Sequence, residues 1–184
     1  MAEIHLNVPF EPGEIEKLRS GDTVLLTGTL YTARDAAHKR MTEQLEKGDD
    51  LPIDLTNQTI YYVGPPPAKP GQVIGSAGPT TSSRMDAYTP TLLEHGLKGM
   101  IGKGYRSQAV IDSIKDNKAV YMVAIGGTGA LLAQKIISAE LVAYEDLGTE
   151  AIRKLEVEDF PCIVIHDSEG NDFYKSSQQS FSNS

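Results

Sequence analysis

One local pattern recurs along the chain: a short β-rich run, a Gly- or Pro-rich turn, then a short amphipathic segment. It constrains the fold more than any single motif, because strands alternating with helices pack as an α/β structure. Residues 3–9 alternate, with Ile4, Leu6 and Val8 on one side, as in a half-buried strand. Residues 12–18 predict a short helix ended by Ser20-Gly21-Asp22, and residues 23–30 (TVLLTGTL) a buried strand. Thr32 is the predicted cap of a helix, with Asp35 as its box-like partner. Ala37, Met41 and Leu45 recur every fourth residue as the core face of that helix, and Gly48 closes it. Residues 59–63 (TIYYV) predict a strand; residues 64–71 (GPPPAKPG) form a stiff turn barred from a sheet interior. Ser107 caps a helix that turns Val110, Ile111 and Ile114 inward. Residues 119–125 read as a strand, and GGTGA leads into a helix through Leu131, Leu132, Lys135 and Ile136. A strand at 141–144, a short helix at 151–155 capped by Thr149, and a strand at 162–165 follow. The chain then turns at Glu169-Gly170-Asn171 into a last short strand. Strand is denser in the early part, so two packed β layers with helices are also compatible with the pattern. The reading is one domain over residues 1–175, with 176–184 (SSQQSFSNS) aperiodic and disordered.

The 184 residues suffice for one domain with a real core. The formal charge of −8, with no basic stripe, argues against nucleic acid as the main partner. No apolar run approaches a membrane span, and the N-terminal residues lack the pattern of a signal peptide, so the expected location is the cytoplasm. Cys162 is the single cysteine. It excludes an internal disulfide and any thiolate-built zinc or iron–sulfur site made by this chain alone.

Chemistry concentrates between Val73 and Arg106, VIGSAGPTTSSRMDAYTPTLLEHGLKGMIGKGYR. Two Gly-rich turns, SAGPTTSSR and GKGYR, each follow a short apolar run. Small residues let a ligand approach the backbone, and a helix start offers free N–H groups to an anion. Thr80, Thr81, Ser82 and Ser83 supply hydroxyls, and Arg84 a planar fork suited to a carboxylate. Lys103 and Arg106 add two more cations. This local inversion of charge in an acidic chain points to a small anionic substrate. The plainer alternative is a helix N-terminus rich in capping residues. A hydroxyl acts as a base only where nearby cations stabilise its alkoxide, which Arg84 and Lys103 would do if they converge on it.

Other signals are weaker. In GGTGA, Gly127 and Gly129 fit the start of a dinucleotide-binding turn, but Leu132 stands where the third glycine belongs; a close-packed turn explains it better. Gly102-Lys103-Gly104 is not a phosphate loop, because no Ser or Thr follows the lysine. ARDAAHKR puts Arg34 and His38 one helical turn apart on one face. Arg34 near a helix start opposes the dipole, which hints at another use, although a solvated face is the simpler account. His5, His95 and His166 are scattered and read as structural, and Cys162 in PCIVI as core.

Taken together, GDTVLLTGTLYTARDAAHKR, GPTTSSRMDAY, GMIGKG, AVYMVAIGGTGALLA and AYEDLGTEAIRKLEVEDFP resemble one family. It is that of the β subunit, or C-terminal domain, of class I iron–sulfur fumarate hydratases and the related tartrate dehydratases. The likeness runs from about Gly21 to about Tyr174, and AYEDLGTEAI is closer to the fumarate branch. The resemblance implies a swivelling β/β/α domain like the mobile domain of aconitase-type enzymes. It implies a partner α subunit that holds a 4Fe–4S cluster through three cysteines, and reversible hydration of fumarate to (S)-malate. By the same resemblance, Arg34, Arg84 and Lys103 would hold the substrate carboxylates. Thr80 would be the base at C3, with Thr81 the second candidate, and Gly78, Pro79 and Asp86 would shape the turn. This chain itself would bind no metal. A tartrate dehydratase β subunit, and a non-catalytic module binding a dicarboxylate or nucleotide, are the alternatives.

Overall fold

The computed structural model describes residues 3–126 and 128–182. Its strands are β1 (Ile4–Val8), β2 (Thr23–Thr32), β3 (Thr59–Tyr61), β4 (Gly99–Gly102), β5 (Val120–Ala124), β6 (Ile136–Ala143) and β7 (Ile152–His166). Its helices are α1 (Asp35–Glu46), α2 (Thr89–Glu94), α3 (Gln108–Asp116), α4 (Gly129–Ala133) and α5 (Phe173–Ser182), with 3-10 turns at Ile15–Lys17, Ser82–Met85 and Glu145–Glu150. The α/β alternation expected from the sequence is present.

The sheet runs β1-β2-β3-β4-β5-β7-β6, and β2 also pairs with β7. That second pairing closes β2, β3, β4, β5 and β7 into a five-stranded barrel rather than two flat layers. Strands β1 to β5 pair in parallel, whereas β7 runs antiparallel to β2, β5 and β6. Strand β2 serves three neighbours because β1 pairs with its first part, Val24 to Gly28, and β3 with its end, Tyr31 and Thr32, while β7 pairs along it from Thr23 to Tyr31, with a register shift between Leu26 and Gly28. Gly28 has φ +128°, and a Cβ there would lie 2.0 Å from the Val8 carbonyl oxygen, so only glycine permits β1 to approach at this bulge.

Period-two alternation sorts the core into two compartments. Val24, Leu26, Leu30, Tyr61, Ile101, Val120, Met122, Phe160, Cys162 and Val164 fill one, the barrel interior. Ile60, Tyr62, Met100, Tyr121 and Ile165, from the alternate positions, pack with Ala37 and Met41 of α1, Leu92 and Leu93 of α2, and Val110 and Ile114 of α3. Successive side chains on a strand point to opposite faces, so β3, β4, β5 and the end of β7 are apolar on both sides.

Several expectations are overturned. The segment 151–155 is not a helix but the start of the fifteen-residue strand β7. Arg-Lys-Leu-Glu favours helix locally, but pairing with β2 on one side and β6 on the other prevails. Thr149 caps nothing there; it lies exposed in the 3-10 turn before β7. Thr32 does not cap α1 either. It ends β2, buried, donating to the Ala151 carbonyl at 3.3 Å and accepting from the Arg153 N–H at 3.0 Å. The cap position of α1 is Arg34, and the free N–H of Ala36 is taken by Glu150 Oε1 at 3.1 Å. Helix α4 stops at Ala133, because Ile136 turns into the barrel core and opens β6. Residues 176–182, expected to be disordered, continue α5, which also replaces the expected last strand. Asp172 Oδ1 accepts the N–H groups of Tyr174 and Lys175 and starts that helix, a tertiary-independent signal hidden by its polar tail. Asn183 and Ser184 lie outside the described residues.

His38, expected on a solvated face, is fully buried between α1 and the barrel. Its Nδ1–H donates to the Arg34 carbonyl at 2.7 Å, and its ring meets the edge of Tyr62 with centroids 5.4 Å apart. Burial lowers its pKa from 6.5 to about 4, outweighing the bond to Arg34, so the ring is neutral in the folded protein near neutrality. The unfolded chain takes up a proton near pH 6.5 that the folded chain refuses until about 4. The stabilisation is therefore complete above pH 6.5 and is lost as pH falls through that window, to a full extent on the order of 3 kcal/mol. Urea unfolding between pH 7 and pH 4.5 should show this slope in the native chain and a shallower one in His38→Asn. The buried His166 ring adds to the same window in both proteins, so the comparison isolates His38. Equal slopes would contradict the assignment.

Candidate active site

Because β2, β3 and β4 are parallel and in register, their carboxyl ends share one edge of the barrel. Thr32 pairs with Tyr61, and Tyr61 with Ile101. In parallel α/β sheets the loops beyond that edge form the binding crevice. Here they carry the residues expected to hold or act on a substrate: Arg34 after β2, the 76–84 segment between β3 and β4, and Lys103 after β4.

The long segment after β3 is fastened to the barrel by its backbone. The Thr80 N–H donates to the Tyr62 carbonyl at 2.7 Å, and the Ser82 N–H to the Lys103 carbonyl at 2.9 Å. Thr81 and Lys103 form an isolated parallel bridge. Upstream, the Ala77 N–H donates to the Gly129 carbonyl at 3.0 Å, and the buried Tyr61 hydroxyl donates to the Ala77 carbonyl. Gly78 and Pro79, half-buried, thus stand between two anchors, with Thr80 immediately after them. Gly129 of the GGTGA turn packs closely on this segment as well as bonding it, since a Cβ there would lie 2.3 Å from Ser76 Oγ and 2.6 Å from the Gly78 nitrogen; Gly127 lies outside the described residues. Ser82 is buried and its hydroxyl lies 2.7 Å from that of Tyr121, so it fixes the turn rather than facing a ligand.

The side chains sort into supports and free groups. Arg106 is a support, contrary to the expected trio of open cations. It is buried, its Nε donates to Asp86 Oδ1 at 2.7 Å, one terminal nitrogen donates to Thr89 Oγ1 at 2.9 Å, and it lies over the rings of Tyr62 and Tyr121. Removing a guanidinium from water is tolerable only with this carboxylate and these rings around it. Asp86 uses its other oxygen to accept the Ser107 N–H at 2.8 Å, so it joins the end of the first turn to the second.

Arg34, Arg84 and Lys103 remain at the open edge. Arg34 lies across Gly64, where a Cβ would come 2.7 Å from its Cδ and 2.9 Å from Nη1; any larger residue would displace it. Its Nε is shielded from solvent and has no hydrogen-bond partner among the described residues. Arg84 pairs through Nε with Asp35 Oδ2 at 2.9 Å. Lys103 is exposed and has no ion-pair partner among the described residues. The hydroxyls of Thr80 and Thr81 make no hydrogen bond among the described residues; Thr80 is half-buried, Thr81 exposed. Three cations with donors to spare and two uncommitted hydroxyls on one barrel edge suit a small diacid. The sequence reading missed Asp35 as a partner of Arg84 and Gly64 as the seat of Arg34. A carboxylate directly after an arginine in ARD was the available signal for the first.

The other predicted residues lie apart from this edge or inside the core. His5 faces Asp159 at 3.4 Å on the surface, His95 bonds the Thr91 carbonyl, and His166 stacks on Tyr121. Cys162 is buried in β7, and burial pushes its thiol pKa up. No three His, Cys, Asp or Glu side chains group as metal ligands among the described residues. None of the helices is long and apolar enough to cross a membrane, again among the described residues.

Comparison with known proteins gives this edge a context. The Fumarase C-terminus family model matches residues 1–177. The anaerobic class I fumarate hydratase of Escherichia coli K12 is 41% identical over 177 residues, covering 94% of this chain and 32% of that protein. The aerobic class I enzyme of the same strain is 44% identical over 155 residues, covering 83% of this chain and 28% of the enzyme. A Methanocaldococcus jannaschii protein, described as a putative L(+)-tartrate dehydratase subunit beta, is 38% identical over 168 residues, covering 88% of this chain and 86% of its own length. This chain therefore spans about a third of the fumarate hydratases it matches, but most of the separate subunit. With a family match over nearly its whole length and a relative covered almost end to end, the chain belongs to the Fumarase C-terminus family.

Proposed function

We propose that this chain is the β component of a two-part iron–sulfur hydro-lyase of the cytoplasm that interconverts fumarate and (S)-malate. The observation that carries the reading is the set of cations with donors to spare, Arg34, Arg84 and Lys103, gathered with Thr80 on one edge of the barrel. In this role the three cations hold the two carboxylates. Thr80, as an alkoxide stabilised by the nearby cations, takes the C3 proton of malate and becomes the neutral hydroxyl, the C3–H electron pair becomes the C2=C3 double bond, and hydroxide leaves C2. Removing that proton builds charge on the adjacent carboxylate. A guanidinium fixed beside it binds the charged transition state better than the ground state. Thr81, bridged to Lys103 and exposed, is the alternative base.

A 4Fe–4S cluster would supply Lewis acidity toward the leaving hydroxyl. The residues of this chain do not fit such a cluster: its one cysteine is buried in a strand, where a thiolate is disfavoured. The cluster would therefore belong to a partner α subunit. The limited share of the longer relatives that this chain spans is compatible with that division. The domain would then swivel as one body against its partner, as the mobile domain of aconitase-type enzymes does. A tartrate dehydratase reading draws support from the two-chain organisation implied by the name of the M. jannaschii relative.

Anaerobic co-purification with the α partner, followed by assay with fumarate, malate and tartrate, tests the reading. The assembly should hydrate fumarate, while this chain alone should hold no iron and show no turnover; a stable cluster spectrum from the isolated chain would refute the division. In the assembly, Arg84→Lys should lower kcat/KM by about 30- to 1000-fold, on the order of 2–4 kcal/mol, and more than Arg34→Lys. Equal, small losses would contradict these placements. Thr80→Val should stop deuterium incorporation at C3 of malate in heavy water and leave the cluster absorbance unchanged. Normal exchange in Thr80→Val with loss in Thr81→Val would move the base by one residue.

A further inference from the structure

Among the described residues the Arg84 side chain makes one hydrogen bond, and the atom it uses matters. Its Nε donates to Asp35 Oδ2 at 2.9 Å. A guanidinium carries one N–H on Nε and four on its two terminal nitrogens. Once Nε is committed, a second carboxylate cannot pair side-on through Nε. It can pair only end-on, with both terminal nitrogens. Stability does not account for the contact. The Arg84 side chain is 52% exposed, where solvent screens an ion pair, and Asp35 Oδ1 is shielded without a hydrogen-bond partner among the described residues, an unfavourable state for a carboxylate oxygen.

The two residues also stand on independently fixed supports. Asp35 opens α1, whose start is set by Glu150 bonding the Ala36 N–H and by His38 bonding the Arg34 carbonyl. Arg84 lies in the 3-10 turn that the Ser82–Lys103 backbone bond ties to β4. The Asp35–Arg84 pair thus joins the loop after β2 to the loop before α2 at the barrel edge, and it defines the direction of the free fork.

We propose that Asp35 is a positioning residue. It engages Nε and so presents the terminal nitrogens of Arg84 end-on to a substrate carboxylate, without touching substrate itself. This rests on the hydro-lyase reading for the identity of the ligand, a dicarboxylic acid, but not for the pairing.

The test is a double-mutant cycle in the assembled enzyme with a second readout on the full chain. Asp35→Ala should lower kcat/KM for malate by about 10- to 100-fold, chiefly by raising KM. Asp35→Asn keeps an acceptor oxygen for Nε and should recover to within about threefold of the native enzyme. Lysine has no Nε–H fork to aim, so in an Arg84→Lys background Asp35→Ala should cost less than about twofold. Losses that multiply, or Asp35→Asn as impaired as Asp35→Ala, would overturn the proposal. Thermal unfolding should differ little between the two Asp35 variants, because a screened pair adds little stability. The second readout is the Arg84 Nε–H resonance, assigned by its loss in Arg84→Lys. Its exchange with solvent should quicken in Asp35→Ala; an unchanged resonance would overturn the pairing. An assembly inactive on every dicarboxylic acid would instead refute the hydro-lyase reading, and the Nε–H resonance would still decide the pairing.

Discussion

The antiparallel pairing of β2 with β7 is the constraint on which the rest depends. Without it the order β1-β2-β3-β4-β5-β7-β6 would remain an open sheet with its edges at β1 and β6. The pairing runs along β2 from Thr23 to Tyr31 while β1 and β3 pair with successive parts of the same strand, so β2 borders β1, β3 and β7. Closure encloses one apolar compartment and leaves the second for α1, α2 and α3. It also bends the carboxyl ends of β2, β3 and β4 toward one another. A flat sheet spaces neighbouring strands about 4.8 Å apart in a line; a small barrel gathers their loops around a shared rim.

The rim is then made rigid from beneath. Tyr61 bonds the Ala77 carbonyl, Tyr121 lies against Ser82 and Gly104, and Arg106 links Asp86 to Thr89 between two aromatic rings. These buried polar groups have little to do with binding. They fix loops that carry no regular secondary structure of their own. Among the described residues, the groups they leave without a partner are the Thr80 hydroxyl, the Lys103 ammonium and the terminal nitrogens of Arg84. On the proposed function, donors to a doubly charged small molecule are held apart before the ligand arrives, and the buried network would do that holding.

The division between Arg84 and Arg106 shows how sequence proximity misleads. Both follow Gly-rich turns, and both looked like members of one cationic cluster. Arg106 turns inward because Asp86, twenty residues earlier, waits there with two tyrosine rings. Arg84 stays outside because Asp35, forty-nine residues earlier, meets it at the surface. Nothing in either local sequence distinguishes them; the distinction is a matter of which carboxylate the fold delivers.

The sequence by itself determined the α/β alternation, most strands, and the helices with cap signals such as Ser107. These rest on contacts within a few residues, and period and capping report such contacts directly. It also determined that Arg34, Thr80, Arg84 and Lys103 belong to one order of motifs, which is why the family could be read before any coordinates. Tertiary structure alone decided three things. It made residues 152–155 strand rather than helix, because two neighbouring strands needed their hydrogen bonds. It buried His38 and Arg106, because long-range partners set their solvation. And it closed the sheet into a barrel, because β2 and β7 lie more than a hundred residues apart, and pairing over such a distance leaves no trace in local pattern.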